Sequence, residues 1–464
     1  MPFLLVLVVA MFIIMLLPDF TLVSSEFIME MIERARELAA EMRPAMIDFA
    51  QRGIRCPSLP GEERVFAQLV LKELQTLGYE ATCTDDWGNV MGMVRGNAEG
   101  PTIMYNAHLD HVDIGDPSEW GGYDPYGGQI DVAEVENQTG DGMEMAEVIH
   151  GRAASDTKGG MACQIYSGAI LIRLIKEGYT IKGNYLFTAS VLEEPAEQIG
   201  MIGLYEHTLQ QKGYTVDGVV SCESTSLKVY LGHRGRVELD VEICGVTAHA
   251  SAPWLGLNAV NKATKFVDAV EARYAGDIPV DPKLGKSSIA LTIISCSPGA
   301  MCIVPDRCNI VFDRRLVPTE TPEDAVREIQ EIIDRLEAED PDFHASVKIS
   351  AVPRKTYTGK TVTIPNIKQG WRIEEEHPFV KACADALASL GEPVGYGYWN
   401  FGTDLALLCG KHKIPAVGYS PMQELYCHRP VDRIRTDFMD RAVIGNVAIF
   451  QHLAKLPKKD FRLP

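Results

Sequence analysis

Apolar positions first recur at helical spacing, from Phe27 to Arg52, and again through Phe66, Leu69, Val70, Leu74 and Leu77, with Gly78 as a stop signal. Short apolar runs then follow, at 101–107 (PTIMYNA), 184–191 (NYLFTASV) and 218–222 (GVVSC), and a helix is predicted from Gly160 to Glu177 between the first two. Strand and helix in alternation argue for an α/β domain whose mixed sheet is largely parallel and flanked by helices. In such sheets ligands bind beyond the carboxyl ends of the strands.

The pattern changes between 232 and 350. Val237, Leu239, Val241 and Ile243 alternate with Glu238, Asp240 and Glu242, as in a strand with one wet face. A helix from Asn258 to Tyr274, strands near 287–295 and 307–313, a helix and a strand near 345–351 complete a βαββαβ order. The second helix opens at Thr321-Pro322-Glu323-Asp324, a cap residue followed by proline, and its apolar face is Val326, Ile329, Ile333 and Leu336. A helix from Pro378 to Leu390, ending at Gly391, marks the return of α/β character. The expected organisation is a catalytic domain built from 28–231 and 351–464, interrupted by a small α+β lid and dimerisation domain at 232–350.

Residues 1–27 stand apart. Their apolar run from Phe3 to Leu17 is short for a membrane span and lacks a basic flank. Three readings stay open: a signal or anchor, a start assigned too early, or a buried helix. The 11 cysteines are odd in number and form no Cys-x-x-Cys pair, which suits a reducing, cytoplasmic setting. The net charge of −19 disfavours a nucleic-acid partner, because an acidic surface repels phosphate.

Unusual polar residues gather past the predicted strands: His108-Leu109-Asp110, Ser155-Asp156-Thr157-Lys158-Gly159-Gly160, Glu193-Glu194-Pro195, Cys222-Glu223-Ser224 and Cys427-His428-Arg429-Pro430. Two histidines with several carboxylates form a mixed nitrogen and oxygen donor set, suited to zinc, cobalt or manganese. A histidine after a strand is more often a core or surface residue, and adjacent glutamates are often a solvated edge. Five such segments in this order make those readings hard to sustain together.

In these motifs, and in Gly245–Asn258 and Phe401-Gly402-Thr403-Asp404, the sequence resembles the co-catalytic zinc metallopeptidases of the aminoacylase, acetylornithine deacetylase, succinyl-diaminopimelate desuccinylase and glutamate carboxypeptidase group. Arg234-Gly235-Arg236 and Asp313-Arg314-Arg315-Leu316 bring it nearest to the selenium-metabolism-linked hydrolase branch. The resemblance implies two divalent ions bridged by Asp156, one also held by His108 and Glu223, the other by Glu194 and His428. It implies a cis peptide after Asp156, and Asp110 accepting the second N–H of His108. Glu193 would be the general base for a hydroxide held by the two ions, and His249 on the lid would stabilise the oxyanion. Arg315 would bind a substrate carboxylate or, alternatively, only pair with Asp313. Gly402 and Thr403 would offer backbone donors to the substrate. The expected enzyme is a homodimer, through its lid, that hydrolyses the amide of a small N-acyl amino acid or dipeptide. An N-carbamoyl amidohydrolase, or a relative that binds without catalysis, is the alternative. His111 lies three residues beyond His108, but the segment ends a strand, which favours His108 as the ligand.

Overall fold

A computed structural model describes residues 20–195 and 197–463, with side chains from Glu30 onward. The apolar run 3–17 lies outside them, and no helix among the described residues is long and apolar enough to cross a membrane. Helix α1 (Phe20–Ile54), which extends past both expected ends, and α2 (Arg64–Leu77) lead into β1 (Glu80–Thr84), β2 (Val90–Arg95) and β3 (Ala98–His108). A hairpin of β4 (Gln129–Glu136) and β5 (Met143–His150) precedes α3 (Gly159–Lys176), β6 (Lys182–Ser190), β7 (Gly218–Ser221) and β8 (Val229–His233). The inserted unit then contributes β9 (Gly235–Cys244), α4 (Ala259–Tyr274), β10 (Ser288–Ser297), β11 (Arg307–Leu316), α5 (Pro322–Glu339) and β12 (His344–Ile349). After it come β13 (Ile367–Lys368), α6 (Pro378–Ser389), β14 (Tyr396–Trp399), β15 (Ala416–Gly418), β16 (Arg433–Arg435) and α7 (Thr436–Leu453).

The main sheet has the order β1-β2-β6-β3-β7-β15-β8. Its centre, β6, β3, β7 and β15, is parallel, while β1, β2 and β8 join antiparallel, giving the mixed sheet expected. Helices α1, α3 and α7 pack on one another, and α3 and α7 pack on this sheet. Helix α3 is buried almost throughout, which explains why its sequence is apolar on every face. Close approach to the sheet depends on Gly168, where a Cβ would meet the Tyr79 hydroxyl at 2.0 Å and the Tyr185 ring at 3.2 Å. We expect Gly168→Ala to destabilise the protein by about 1–3 kcal/mol through overpacking, read as a lower urea midpoint. An unchanged midpoint would show that the helix can retreat freely.

The inserted domain has its own sheet, β10-β11-β9-β12, with β13 also paired to β9. Val237, Leu239, Val241 and Ile243 meet Phe266, Ile329 and Ile333 in a second core. The predicted cap closes as a reciprocal box: Thr321 Oγ1 accepts from the Asp324 amide at 3.2 Å, and the Asp324 carboxylate accepts from the Thr321 amide at 2.8 Å. Among the described residues strand β10 is a free edge, with Leu291, Ile293 and Ile294 exposed.

Candidate metal centre

Parallel pairing of β3, β6 and β7 brings their carboxyl ends level, with His108 opposite Ser190 and Asn106 opposite Ser221. His108 ends its strand, and Glu193, Glu194 and Glu223 follow theirs within a few residues. Asp156 sits in the turn before α3, and its peptide bond to Thr157 is cis. His428, with φ of 59°, lies in the loop between β15 and β16.

Asp156 links the two histidines. One carboxylate oxygen is 2.8 Å from His108 Nε2 and the other 3.0 Å from His428 Nε2. Glu223 lies 3.8 Å from His108 Nε2, and Glu194 lies 3.1 Å from His428 Nε2. Oxygen and nitrogen atoms of His108, Glu193 and Glu223, and of His108, Asp156 and Glu194, each fall within 4.8 Å of one another.

The electrostatics call for cations. Burial pushes Asp156 up, but hydrogen bonds from His108 and His428 outweigh it and hold the acid well below the usual carboxylate range. Hydrogen bonds to Asp156 and Glu194 push His428 up to about 11. Burial works against a charged His108, yet its bond to Asp156 raises it well above the ordinary value. Burial and then the Asp156 charge raise both Glu223 and Glu194. Protons on the imidazoles thus compensate carboxylates that two divalent ions would compensate better, and such ions compete for the same donor atoms. Glu194 Oε1 is buried without a hydrogen-bond partner among the described residues, as fits a ligand atom. The donor set therefore fits a pair of divalent ions.

Asp110 departs from its expected role. His108 Nδ1 meets the backbone carbonyl of Asp110 at 2.9 Å, while the Asp110 carboxylate is 3.7 Å away. That carboxylate instead accepts the amides of Glu193 and Glu194 at 3.1 and 3.0 Å, fixing the turn that presents both glutamates. The turn after β3 points the carbonyl, not the side chain, at the imidazole. His111 is outside both donor groups: its Nε2 accepts the Ser58 amide at 2.9 Å, and burial lowers its pKa to about 4.

A cavity of about 350 Å3 opens onto Asp156, Glu193, Glu194, Glu223 and His428, lined also by Arg236, Arg315, Lys368, Phe401, Gly402 and Arg429. Arg315 both faces it and pairs with Asp313, with Nε 2.7 Å from the carboxylate. Thr403 does not face it: fully buried, it gives its amide to His233 Nε2 at 3.1 Å, so that N–H is spent inside the fold. His249 is on the inserted domain, exposed, bonded to Ser251 Oγ at 2.7 Å, and is not among the cavity residues of its own chain.

Two residues were not anticipated. Asp432 accepts the amides of Ala153 and Ser155 at 2.8 and 2.9 Å, tying the loop that carries His428 to the one that carries Asp156. Lys368 pairs with Glu193 at the cavity wall. The only sequence signal for it is a lone cation in the apolar stretch TVTIPNIKQGW, which periodicity alone does not single out.

This fold is shared with solved peptidases of the M20 family. The chain belongs to the same family as the uncharacterized protein YgeY of Escherichia coli (strain K12), to which it is 30% identical over 405 residues, 87% of this chain and 92% of that protein. Residues 231–341 match the peptidase dimerisation domain. The fold is similar to aminopeptidase PepT from Bacillus cereus, at a TM-score of 0.65 and 18% identity, covering 89% of this chain and 99% of that one. It is also similar to YXEP of Bacillus subtilis, a dinuclear metal binding peptidase of the M20 family, at 0.64 and 14% identity, covering 90% and 99%.

Proposed function

We propose that the protein is a metal-dependent hydrolase of the amide bond in a small N-acyl amino acid or dipeptide with a free carboxylate. The observation that carries this reading is the Asp156 carboxylate set between two histidines, each with a further glutamate beside it. His108, Asp156 and Glu223 would hold one ion and Asp156, Glu194 and His428 the other, with zinc favoured by the donors and cobalt or manganese able to replace it. When bound, such a pair polarises a carbonyl and acidifies water towards neutral pH.

Glu193, buried at the cavity wall, takes the proton of the attacking water and returns it to the leaving nitrogen. Asp110 holds the backbone of Glu193 and Glu194 so that one carboxylate faces the ions and the other the substrate. Arg315, turned to the cavity, offers the guanidinium edge that Asp313 leaves free to the substrate carboxylate. His249 comes from a second copy, across lids joined at the β10 edge, to meet the developing oxyanion. The selenium-metabolism-linked branch remains part of this proposal, on the Arg234-Gly235-Arg236 and Asp313–Leu316 stretches.

The test is a panel of N-acyl amino acids, dipeptides and N-carbamoyl amino acids, with zinc, cobalt or manganese added to chelator-treated protein. We expect uptake near two equivalents and turnover of an acyl or peptide substrate. Metal at a hundred times its dissociation constant should add about 2.7 kcal/mol of stability, read as a rise in Tm. No uptake would refute the proposal, and turnover confined to N-carbamoyl compounds would replace its substrate class.

A further inference from the structure

Lys368 is 3% exposed, an unusual place for an ammonium. Pairing of β13 with β9 sets it opposite Arg236. Its stem crosses Gly402 so closely that a Cβ there would lie 2.9 Å from Lys368 Cδ. The ammonium donates to the Gly402 carbonyl at 3.0 Å and to Glu193 Oε1. Asp404, whose Oδ2 accepts from Ser190 Oγ at 2.5 Å, is buried behind it. Burial opposes the charge, but Glu193 and then Asp404 outweigh it and raise Lys368 above its ordinary value. The ammonium is thus fixed by the Gly402 carbonyl and the Glu193 carboxylate, with the charge of Asp404 nearby.

Glu193 has two possible fates in this site. Its carboxylate lies within 4.8 Å of donor atoms of His108 and Glu223, near enough to become a metal ligand itself. A carboxylate that binds a divalent ion is a poorer proton carrier, because the cation stabilises its ionised form. We propose that Lys368 is a positioning residue that holds Glu193 off the metal pair and so reserves it for proton transfer. The inference rests on the proposed role of Glu193. Lys368 engages Oε1 and leaves the second oxygen to exchange the proton, while the Gly402 carbonyl stops the ammonium from following the carboxylate inward.

The experiment compares cobalt-loaded wild type, Lys368→Met, Glu193→Gln and the double variant. Methionine keeps an unbranched stem and removes the charge. In Lys368→Met we expect two bound cobalt ions and weaker visible d–d bands, the mark of an added ligand. In the double variant the bands should return to those of Glu193→Gln, since the amide is a far weaker ligand. The kcat of Lys368→Met should fall about a hundredfold with KM little changed, the size of a lost proton-transfer contribution. Should that variant not fold, Gly402→Ala pushes the stem aside without removing the charge, and the same weakening of the bands is expected. A d–d spectrum unchanged in the folded variant, or weakened bands that persist in the double variant, would overturn the inference. Wild type that takes up no cobalt would instead refute the proposed function, and the inference with it.

Discussion

Replacing Glu193 by Gln is expected to leave both metal ions bound and to remove nearly all turnover, a loss of about 10²–10⁴-fold in kcat. The neighbouring change, Glu194→Gln, is expected to lower metal occupancy as well. The two side chains differ in what they face. Glu194 lies 3.1 Å from His428 Nε2 and leaves an oxygen buried without a partner among the described residues, so its loss opens a coordination position. Glu193 is held at the cavity wall by Lys368, and the isosteric amide preserves its volume while removing its basicity. Both amides donate to Asp110, so either substitution leaves the backbone of the turn in place. Metal content by mass spectrometry and initial rates on the same samples decide the matter. A Glu193→Gln protein that loses a metal, beside a fully loaded Glu194→Gln protein, would exchange the two roles.

The parts of this site that lie next to a strong local pattern could be read from the chain. His108 follows an apolar strand, Glu193 and Glu194 another, and Glu223 a third, so parallel pairing alone brings them to one edge. The alternation from Val237 to Ile243 and the cap at Thr321 likewise depend on neighbours a few residues away. Contacts set by distant partners were not legible. Lys368 gains its meaning from Glu193 and Gly402, which only the pairing of a two-residue strand with β9 brings near. Asp432 acts on amides of a loop far upstream. Asp110 illustrates the limit most sharply: whether its carbonyl or its carboxylate meets His108 depends on a turn whose dihedral angles no periodicity encodes. The same holds for Thr403, whose amide is consumed by His233 from another strand.

Mixing two inactive proteins, His249→Ala and Glu193→Ala, should restore activity when their subunits exchange. His249 lies on the inserted domain, at a bridge between its backbone and that of Ile303, and is not among the residues lining the cavity of its own chain. The same domain matches a peptidase dimerisation domain and leaves the apolar edge of β10 exposed, with Ile293 at 58% and Ile294 at 54%. A free edge of this kind is satisfied by a second copy related by a two-fold axis. If each cavity is completed by the partner's lid, a heterodimer of the two variants has one cavity that combines an intact Glu193 with an intact His249, and one that lacks both. Statistical exchange of equal amounts makes about half of the dimers heterodimers, each with one working site of two, so the mixture should recover about a quarter of wild-type activity. Each protein alone should stay at background, and recovery should follow the heterodimer fraction measured by native mass spectrometry. Confirmed exchange without recovery would place any action of His249 within its own chain, and would remove the second copy from the proposed mechanism.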